Sequence, residues 1–182
     1  MTRRLAIPLL VLLAGLRVAR ADEVVIDFEQ AEIGKPVPTW TEKGVVFNLA
    51  GALAHSKATG RIMFFPHLAT HHKGILNAMA TEQAIPVQAT LPGSASVVTL
   101  VLWGSTGCPA LLEALDRNGE VVDKASVAAV PGRKAPADPI PFFELTVKAP
   151  AASAIAAIRF SGPRNGEFLA ADEIRFTTAD AK

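Results

Sequence analysis

The stretch LLEALDRNGEVVDKASV, residues 111–127, decides the fold class of this chain. Two runs of alternating apolar residues, 111–116 and 120–127, flank the dipeptide Asn118-Gly119. Asn-Gly supplies the positive φ angles that a tight turn needs, so the stretch predicts a β-hairpin.

Short runs of period two continue on both sides of this hairpin and are broken by Gly and Pro. They cover residues 24–29, 44–49, 61–65, 85–91, 96–103, 142–147, 155–160 and 173–177. Almost no stretch has a helical period, and the proline-rich segment 131–141 is predicted to be a long loop. The pattern predicts an all-β sandwich or barrel.

The run SVVTLVLW, residues 96–103, is apolar on both faces and is therefore predicted to be a central strand. Its two faces carry Val98, Leu100 and Leu102 on one side, and Val97, Val101 and Trp103 on the other. The second face is either covered by a loop or forms a binding surface. If the run 111–116 neighbours this strand, Trp103, Leu111 and Glu113 would line one outer face.

The N-terminus has the pattern of a secretory signal peptide over residues 1–21. Arg3 and Arg4 precede an apolar run over 5–16, and Ala19 and Ala21 form a cleavage pattern before Asp22. The apolar run is shorter than the roughly 20 residues that span a bilayer. We expect a secreted or periplasmic protein whose residues 22–182 form one domain.

Removal of that segment leaves 14 basic and 17 acidic side chains, a formal charge of −3. No basic patch then points to nucleic acid or to an anionic membrane. Cys108 is the only cysteine, so no intramolecular disulfide can form. We interpret Cys108 as a buried small apolar residue; the alternative is a reactive thiol.

Five motifs resemble the jelly-roll domains of the galactose-binding-like superfamily, which includes many carbohydrate-binding modules. They are IDFE at 26–29, KGVVFN at 43–48, ALDRNGEVV at 114–122, AIRFSG at 157–162 and ADEIRF at 171–176. The resemblance implies a single all-β jelly-roll sandwich of about eight to ten antiparallel strands.

The same resemblance implies a structural calcium ion on the first and last strands. Glu29 matches the acid of the first strand, and Asp172 and Glu173 match the two acidic places of the terminal motif. Calcium takes six to eight oxygen ligands, so backbone carbonyls would complete the shell. The alternative is a solvated acidic patch in which Glu173 pairs with Arg159 or Arg175.

Carbohydrate modules of this fold usually stack a sugar on exposed aromatic rings. The chain has no tyrosine, which leaves few rings for this role. The predicted ligand-binding residues are Trp40, Trp103, Glu113 and Phe142. The alternative for Trp40 is that it plugs one end of the sandwich.

The segment FFPHLATHHKG, residues 64–74, holds three of the four histidines. A metal-dependent hydrolase would use His67 and His71, with His55 as the third zinc ligand. No HExxH pattern is present, and Lys73 adds a positive charge beside the histidines. A polar loop rich in histidine is the alternative, and we assign no catalytic residue.

The sequence therefore predicts an exported, non-catalytic binding module for a glycan or another envelope component. Two other hypotheses stay open. One is the metal-dependent hydrolase described above, and the other is a structural or protein-interaction subunit that associates through the apolar face of residues 96–103.

Overall fold

The computed structural model describes residues 23–50, 61–77, 85–135, 137–161 and 168–178. The predicted signal peptide and His55 lie outside the described residues. Eleven strands are present: β1 (Glu23–Ile26), β2 (Trp40–Glu42), β3 (Val45–Leu49), β4 (Ile62–Pro66), β5 (Lys73–Asn77), β6 (Val87–Gly104), β7 (Ala110–Leu115), β8 (Val121–Val127), β9 (Phe143–Lys148), β10 (Ile155–Ser161) and β11 (Leu169–Thr178). These residues form no helix, and so none that could cross a membrane.

The strands pair antiparallel and fold into two layers because β6 belongs to both. In the first layer, the beginning of β6 lies between β3 and β10, and the order is β2-β3-β6-β10-β7-β8. In the second layer, the end of β6 lies between β9 and β11. The other edge of β11 pairs with β5 and β1, and β4 follows β5. The all-β sandwich prediction is confirmed.

Strand β6 joins two runs that were predicted as separate strands, 85–91 and 96–103. Its register with β10 jumps between Ala157, opposite Thr90, and Ile155, opposite Ala95. Pro92 and Gly93 lie in this irregularity, where the ladder is interrupted and a proline is tolerated. The backbone therefore stays extended while the strand passes from one layer to the other.

The core lies between the two layers and is built by alternation. Val98, Leu100 and Leu102 of β6 are fully buried in it, as predicted. The Phe28 ring packs against Phe47 at 5.3 Å and Phe64 at 5.9 Å between centroids. Strand β1 ends at Ile26, earlier than predicted, because Phe28 adopts a φ of 57° and turns the chain while its ring stays in the core.

The predicted hairpin connects β7 to β8, but its turn differs from the expected one. Only Gly119 has a positive φ, at 81°, whereas Asn118 does not. Asp116 closes the loop, since its Oδ1 accepts hydrogen bonds from the backbone N–H of Asn118 at 2.8 Å and of Glu120 at 2.9 Å. The Asp116 carboxylate stabilises a loop that is longer than the predicted two-residue turn. In this longer loop, only Gly119 adopts a left-handed backbone conformation.

Strands β2 and β5 were not predicted. Strand β2 has only three residues, and β5 contains Gly74, which weakens its strand pattern. Strand β5 forms a hairpin with β4 that carries the described histidines in its loop. Residues 128–135 and 137–142 contain no strand, in agreement with the predicted proline-rich loop.

Candidate functional site

A row of polar side chains crosses the first layer from β3 to β8. Consecutive members are direct cross-strand partners, so the five residues form one line perpendicular to the strands. In order across the sheet, this polar row consists of Asn48, Gln88, Arg159, Glu113 and Lys124.

The row lies on the outer face because its sequence neighbours fill the core. Successive side chains of a strand point to opposite faces. The neighbours Phe47, Ala89, Ile158 and Leu112 are fully buried between the layers. The first four members of the polar row are half-buried and Lys124 is exposed, so the row forms a partly shielded strip on the outer surface.

Glu113 lies between the two cationic side chains of the polar row, Arg159 and Lys124. Arg159 Nε donates to Glu113 Oε2 at 2.5 Å, and the side chains are 33% and 19% exposed. Lys124 faces Glu113 from the other side. Two amides, a guanidinium, a carboxylate and an ammonium thus present both donors and acceptors along one line.

A second row, which is apolar except for Thr90 and is called the apolar row below, lies beside the polar row on the same strands. Its consecutive partners are Val46, Thr90, Ala157, Leu115 and Val121. Val46 and Val121 at its two ends are exposed, whereas Ala157 and Leu115 at its centre are buried. The outer face of the first layer therefore has a polar strip beside an apolar one.

The outer face of the second layer carries an aromatic cluster instead. His67 lies between Trp103 and Phe142, with ring centroids 5.1 Å and 4.5 Å away. Phe168 packs edge-on against Trp103 at 5.2 Å. The Trp103 end of the second face of residues 96–103 is therefore covered by side chains from loops, which is one of the two outcomes that the sequence left open.

Two small residues leave room for the Trp103 indole on this face. Ala170 on β11 is its cross-strand partner, and Gly74 on β5 lies beyond it. A Cβ atom at Gly74 would be only 2.9 Å from Trp103 Nε1 and 3.0 Å from the Ala170 Cβ. The glycine is therefore required for the position of the indole.

Asp172 is a buried acid at the edge of this cluster, with 8% of its surface exposed. Burial raises the pKa of its carboxyl above the ordinary value of 3.8, and the nearby His72 opposes the rise. The His72 Nδ1 atom lies 3.6 Å from Asp172 Oδ2. Within the described part of the chain, neither Asp172 Oδ1 nor Trp103 Nε1 has a hydrogen-bond partner, although both atoms are buried.

The structure separates the four predicted ligand-binding residues. Trp103 and Phe142 meet at His67. Glu113 lies in the polar row of the other layer, because β7 pairs with β10 and β10 pairs with the beginning of β6, whereas Trp103 lies at the end of β6. Trp40 is half-buried against the core, with its ring 5.0 Å from Phe64 and its Nε1 donating to Glu42 Oε2 at 3.4 Å. Trp40 therefore packs against the core, and its role in ligand binding stays a prediction.

The three predicted calcium ligands have separate partners. Glu29 Oε1 accepts from the Lys73 backbone N–H at 3.2 Å, Asp172 faces His72, and Glu173 pairs with Arg175 on its own strand. No group of three or more His, Cys, Asp or Glu side chains that could hold a metal ion occurs among the described residues. The calcium ion stays a prediction.

The histidine segment forms a tight loop between β4 and β5. His67 is buried: its Nε2 donates to the Ile140 carbonyl at 2.9 Å, and its Nδ1 accepts from the Thr70 backbone N–H at 3.3 Å. His71 is exposed at a φ of 63°. Both nitrogens of His67 are thus occupied by bonds that position the loop. Cys108 is buried, as predicted.

The sequence analysis did not predict that Asn48, Gln88 and Arg159 lie in one row with Glu113. Each is a polar residue inside a run that alternates with apolar residues, and this is the sequence signal that could have identified it. Their alignment depends on the register of four strand pairs, which periodicity does not specify. Phe65 was also missed, although it is 44% exposed on the outer face of β4.

No protein-family model matches the chain, and no curated protein sequence does. The K1 cleaved adhesin domain of Lys-gingipain from Porphyromonas gingivalis W83 is similar in structure, with a TM-score of 0.52 and 11% identity over 87% of this chain and 99% of that one. The family 29 carbohydrate binding module CBM29_1 from Piromyces equi has a TM-score of 0.51 and 10% identity over 89% of this chain and 95% of that one. The likeness to these two structures shows that the chain shares their β-sandwich fold.

Proposed function

We propose that this protein is an exported, non-catalytic module that binds a glycan chain across the outer face of its first layer. The observation that carries the proposal is the polar row from Asn48 to Lys124, with the apolar row beside it. Export is supported by the signal-peptide pattern of residues 1–21. The fold is consistent with the proposal, since one of the similar structures is a carbohydrate binding module.

The dimensions of the strip suit an extended polymer. Five strands at the usual spacing of about 4.8 Å make the polar row on the order of 19 Å long. Such a length accommodates several sugar units lying perpendicular to the strands. Because the side chains stand on a sheet held by core packing, they are pre-ordered and lose little conformational freedom on binding.

The chemistry of the strip matches both sides of a sugar ring. Hydroxyl groups donate and accept hydrogen bonds, and the amides of Asn48 and Gln88 do the same. The C–H faces of a pyranose are apolar and would lie over the neighbouring row that ends at Val46 and Val121. Arg159 is held by Glu113 and keeps further N–H donors for a ligand.

The proposal is tested by affinity electrophoresis of the full chain in gels that contain cellulose derivatives, xylan, mannan, soluble chitin or peptidoglycan fragments. We expect retardation by at least one polymer. The double variant Asn48→Ala, Gln88→Ala should lose at least about tenfold in affinity, equivalent to about 1.4 kcal/mol. Both side chains lie on the surface strip, so the fold should be retained.

The matched control is Thr99→Ala, Thr146→Ala, which removes two polar side chains that are hydrogen-bonded at 3.0 Å on the second layer. It should bind as the unmodified protein does. Absence of retardation by every polymer, or equal retardation of the Asn48, Gln88 variant, would refute the assignment. Circular dichroism of each variant checks that the fold is intact.

The predicted calcium ion belongs to this proposal as a stabilising element rather than as part of the binding strip. Glu29, Asp172 and Glu173 supply the carboxylates in that hypothesis. A ligand that binds only the folded state stabilises it by RT ln(1 + [L]/Kd). Calcium added after chelation should therefore raise the melting temperature, and an unchanged melting temperature would count against the ion.

A further inference from the structure

We infer that Asn118 is a modification site of this protein: its side-chain amide is lost by deamidation, and the Asp116 carboxylate controls the rate of that reaction in the folded chain. The starting observation is the dipeptide Asn118-Gly119 at the tip of the β7–β8 hairpin, where both residues are exposed. The proposed glycan binding makes no use of this dipeptide, so the modification is independent of it.

Deamidation joins the side chain of an asparagine to the backbone of the next residue. The backbone nitrogen of Gly119 forms a bond to Asn118 Cγ, the Cγ–Nδ2 bond breaks, and Nδ2 leaves as ammonia with the proton of the Gly119 N–H. Water then opens the resulting cyclic imide at either carbonyl and gives aspartate or isoaspartate. Glycine favours the first step, since it has no Cβ atom that shields its nitrogen or restricts its φ and ψ angles.

The structure restrains the attacking group. The Gly119 N–H donates to the backbone carbonyl of Asp116 at 3.1 Å. This hydrogen bond must break before the nitrogen loses its proton and bonds to the side-chain carbon. A second backbone bond, from the Asp116 N–H to the Glu120 carbonyl at 3.0 Å, closes the loop around the dipeptide. The nitrogen that has to attack is therefore occupied in the folded loop.

The Asp116 carboxylate restrains the group under attack. Its Oδ2 accepts from Asn118 Nδ2 at 3.3 Å, which orients the side-chain amide toward Asp116. Its Oδ1 accepts from the backbone N–H groups of Asn118 and Glu120, at 2.8 Å and 2.9 Å. The attack also develops a negative charge on the asparagine oxygen, and a carboxylate beside it disfavours that charge. One residue thus opposes the reaction by hydrogen bonding and by charge.

The reaction in the folded protein therefore depends on local opening of the hairpin tip. Exposed loops open at a much lower free energy than core strands, so this opening does not require global unfolding. When opening and closing are fast compared with the reaction, the observed rate is the rate of the open loop multiplied by the open fraction. Loss of the bonds to Asp116 raises that fraction and hence the rate.

The chain provides an internal reference for the rate of the open loop. Its sequence contains RNGE twice, at 117–120 and at 164–167, and an acidic residue precedes only the first copy. The second copy lies outside the described residues, so it is used only in the unfolded chain, where the local sequence sets the rate. Trypsin cleaves after arginine, so Asn118 and Asn165 become the first residues of two different peptides.

The full chain is incubated at neutral pH in buffer and, in parallel, in urea. Mass spectrometry of the tryptic peptides follows the conversion of each amide to the acid. In urea, we expect Asn118 and Asn165 to convert at similar rates. In buffer, Asn118 should convert to both aspartate and isoaspartate, at least about tenfold more slowly than in urea, equivalent to about 1.4 kcal/mol in activation free energy.

The variant Asp116→Asn tests the control by the carboxylate. It removes the negative charge and one acceptor, so the rate at Asn118 in buffer should rise by at least about threefold, as expected for the loss of one modest hydrogen bond. The matched control is Glu120→Gln, which removes an exposed carboxylate from the same loop and keeps the bonds to Asp116. It should change the rate by less than about twofold.

Each contrary result overturns a stated part of the assignment. If Asn118 shows no conversion in buffer, it is not a modification site of the folded protein. Equal rates at Asn118 in buffer and in urea, or in Asp116→Asn and the unmodified protein, would show that Asp116 does not control the reaction. Circular dichroism checks that both variants are folded, and the comparison of buffer with urea needs no variant.

Discussion

His67 and Ile140 are joined by a hydrogen bond from the imidazole Nε2 to the backbone carbonyl, at 2.9 Å. This bond ties the β4–β5 hairpin to the proline-rich loop, 73 residues later in the chain. The other ring nitrogen, Nδ1, accepts from the Thr70 backbone N–H at 3.3 Å, so both nitrogens hold the ring in place. The contact places the loop, with Phe142, over Trp103.

His67→Ala should therefore destabilise the protein by about 2–4 kcal/mol, because it removes a buried ring from between two aromatic side chains together with its hydrogen bonds. Urea unfolding followed by circular dichroism measures this difference. Leu68→Ala, in the same loop but highly exposed, is the control and should change stability by less than about 0.5 kcal/mol. Equal effects of the two substitutions would show that His67 does not anchor the loop.

Gly74→Ala should displace the Trp103 indole, because the added Cβ would lie 2.9 Å from Nε1 and 3.0 Å from the Ala170 Cβ. We expect a loss of about 1–3 kcal/mol in the free energy of unfolding. In the Trp40→Phe background, the emission of Trp103 should also shift to longer wavelength. Gly93→Ala is the matched control, since a Cβ atom there meets nothing within 4 Å. Unchanged emission in Gly74→Ala would contradict the described packing.

Asp172→Asn should stabilise the protein near neutral pH, with a benefit that depends on pH. Burial raises the pKa of Asp172 in the folded protein above the ordinary value of 3.8. The protonated carboxyl therefore contributes its full stability below about pH 3.8, and this contribution is lost as the pH rises through the raised pKa. Asparagine does not titrate. The variant should therefore match the original protein at low pH and exceed it in stability above that window.

Urea unfolding of both proteins at several values between about pH 3 and pH 7 checks this expectation. His72, His67 and Glu173 also act on the carboxyl, and all three are present in both proteins. Glu120→Gln, at an exposed position, serves as the control. A stability difference that stays constant with pH would argue against a raised pKa of Asp172.

Glu113 and Arg159 should be energetically coupled, because they are direct cross-strand partners and partly shielded from water. A double-mutant cycle with Glu113→Gln and Arg159→Met should give a coupling of about 1 kcal/mol. The exposed pair Glu32 and Lys35, with nitrogen and oxygen 2.9 Å apart, should give less than about 0.5 kcal/mol. Similar couplings for the two pairs would mean that the polar row is fully solvated.

Fold class could be predicted from the sequence because side-chain alternation is a local property. The buried Val98, Leu100 and Leu102 follow directly from the period of two in residues 96–103. The hairpin around Asn118 and Gly119 also follows from local turn chemistry, although Asp116 determined which turn forms. The short β2 and the glycine-containing β5 lacked such a signal.

The composition of the candidate site was decided by tertiary structure. Glu113 was predicted beside Trp103, but the chain order of two strands does not fix their order in a sheet, and β10 separates them. The polar row exists only because four independent registers align Asn48, Gln88, Arg159, Glu113 and Lys124. A shift of one residue in any pair would turn the members of that strand toward the core.

The sequence by itself determined an all-β chain with a strand apolar on both faces, since these properties depend on residues close together in the chain. Only the tertiary structure decided what covers the Trp103 end of the second face of that strand. His67, Phe142 and Phe168 come from distant segments and meet at Trp103, where Ala170 and Gly74 leave room for the indole. Such long-range contacts depend on steric fit between segments, which no local pattern encodes.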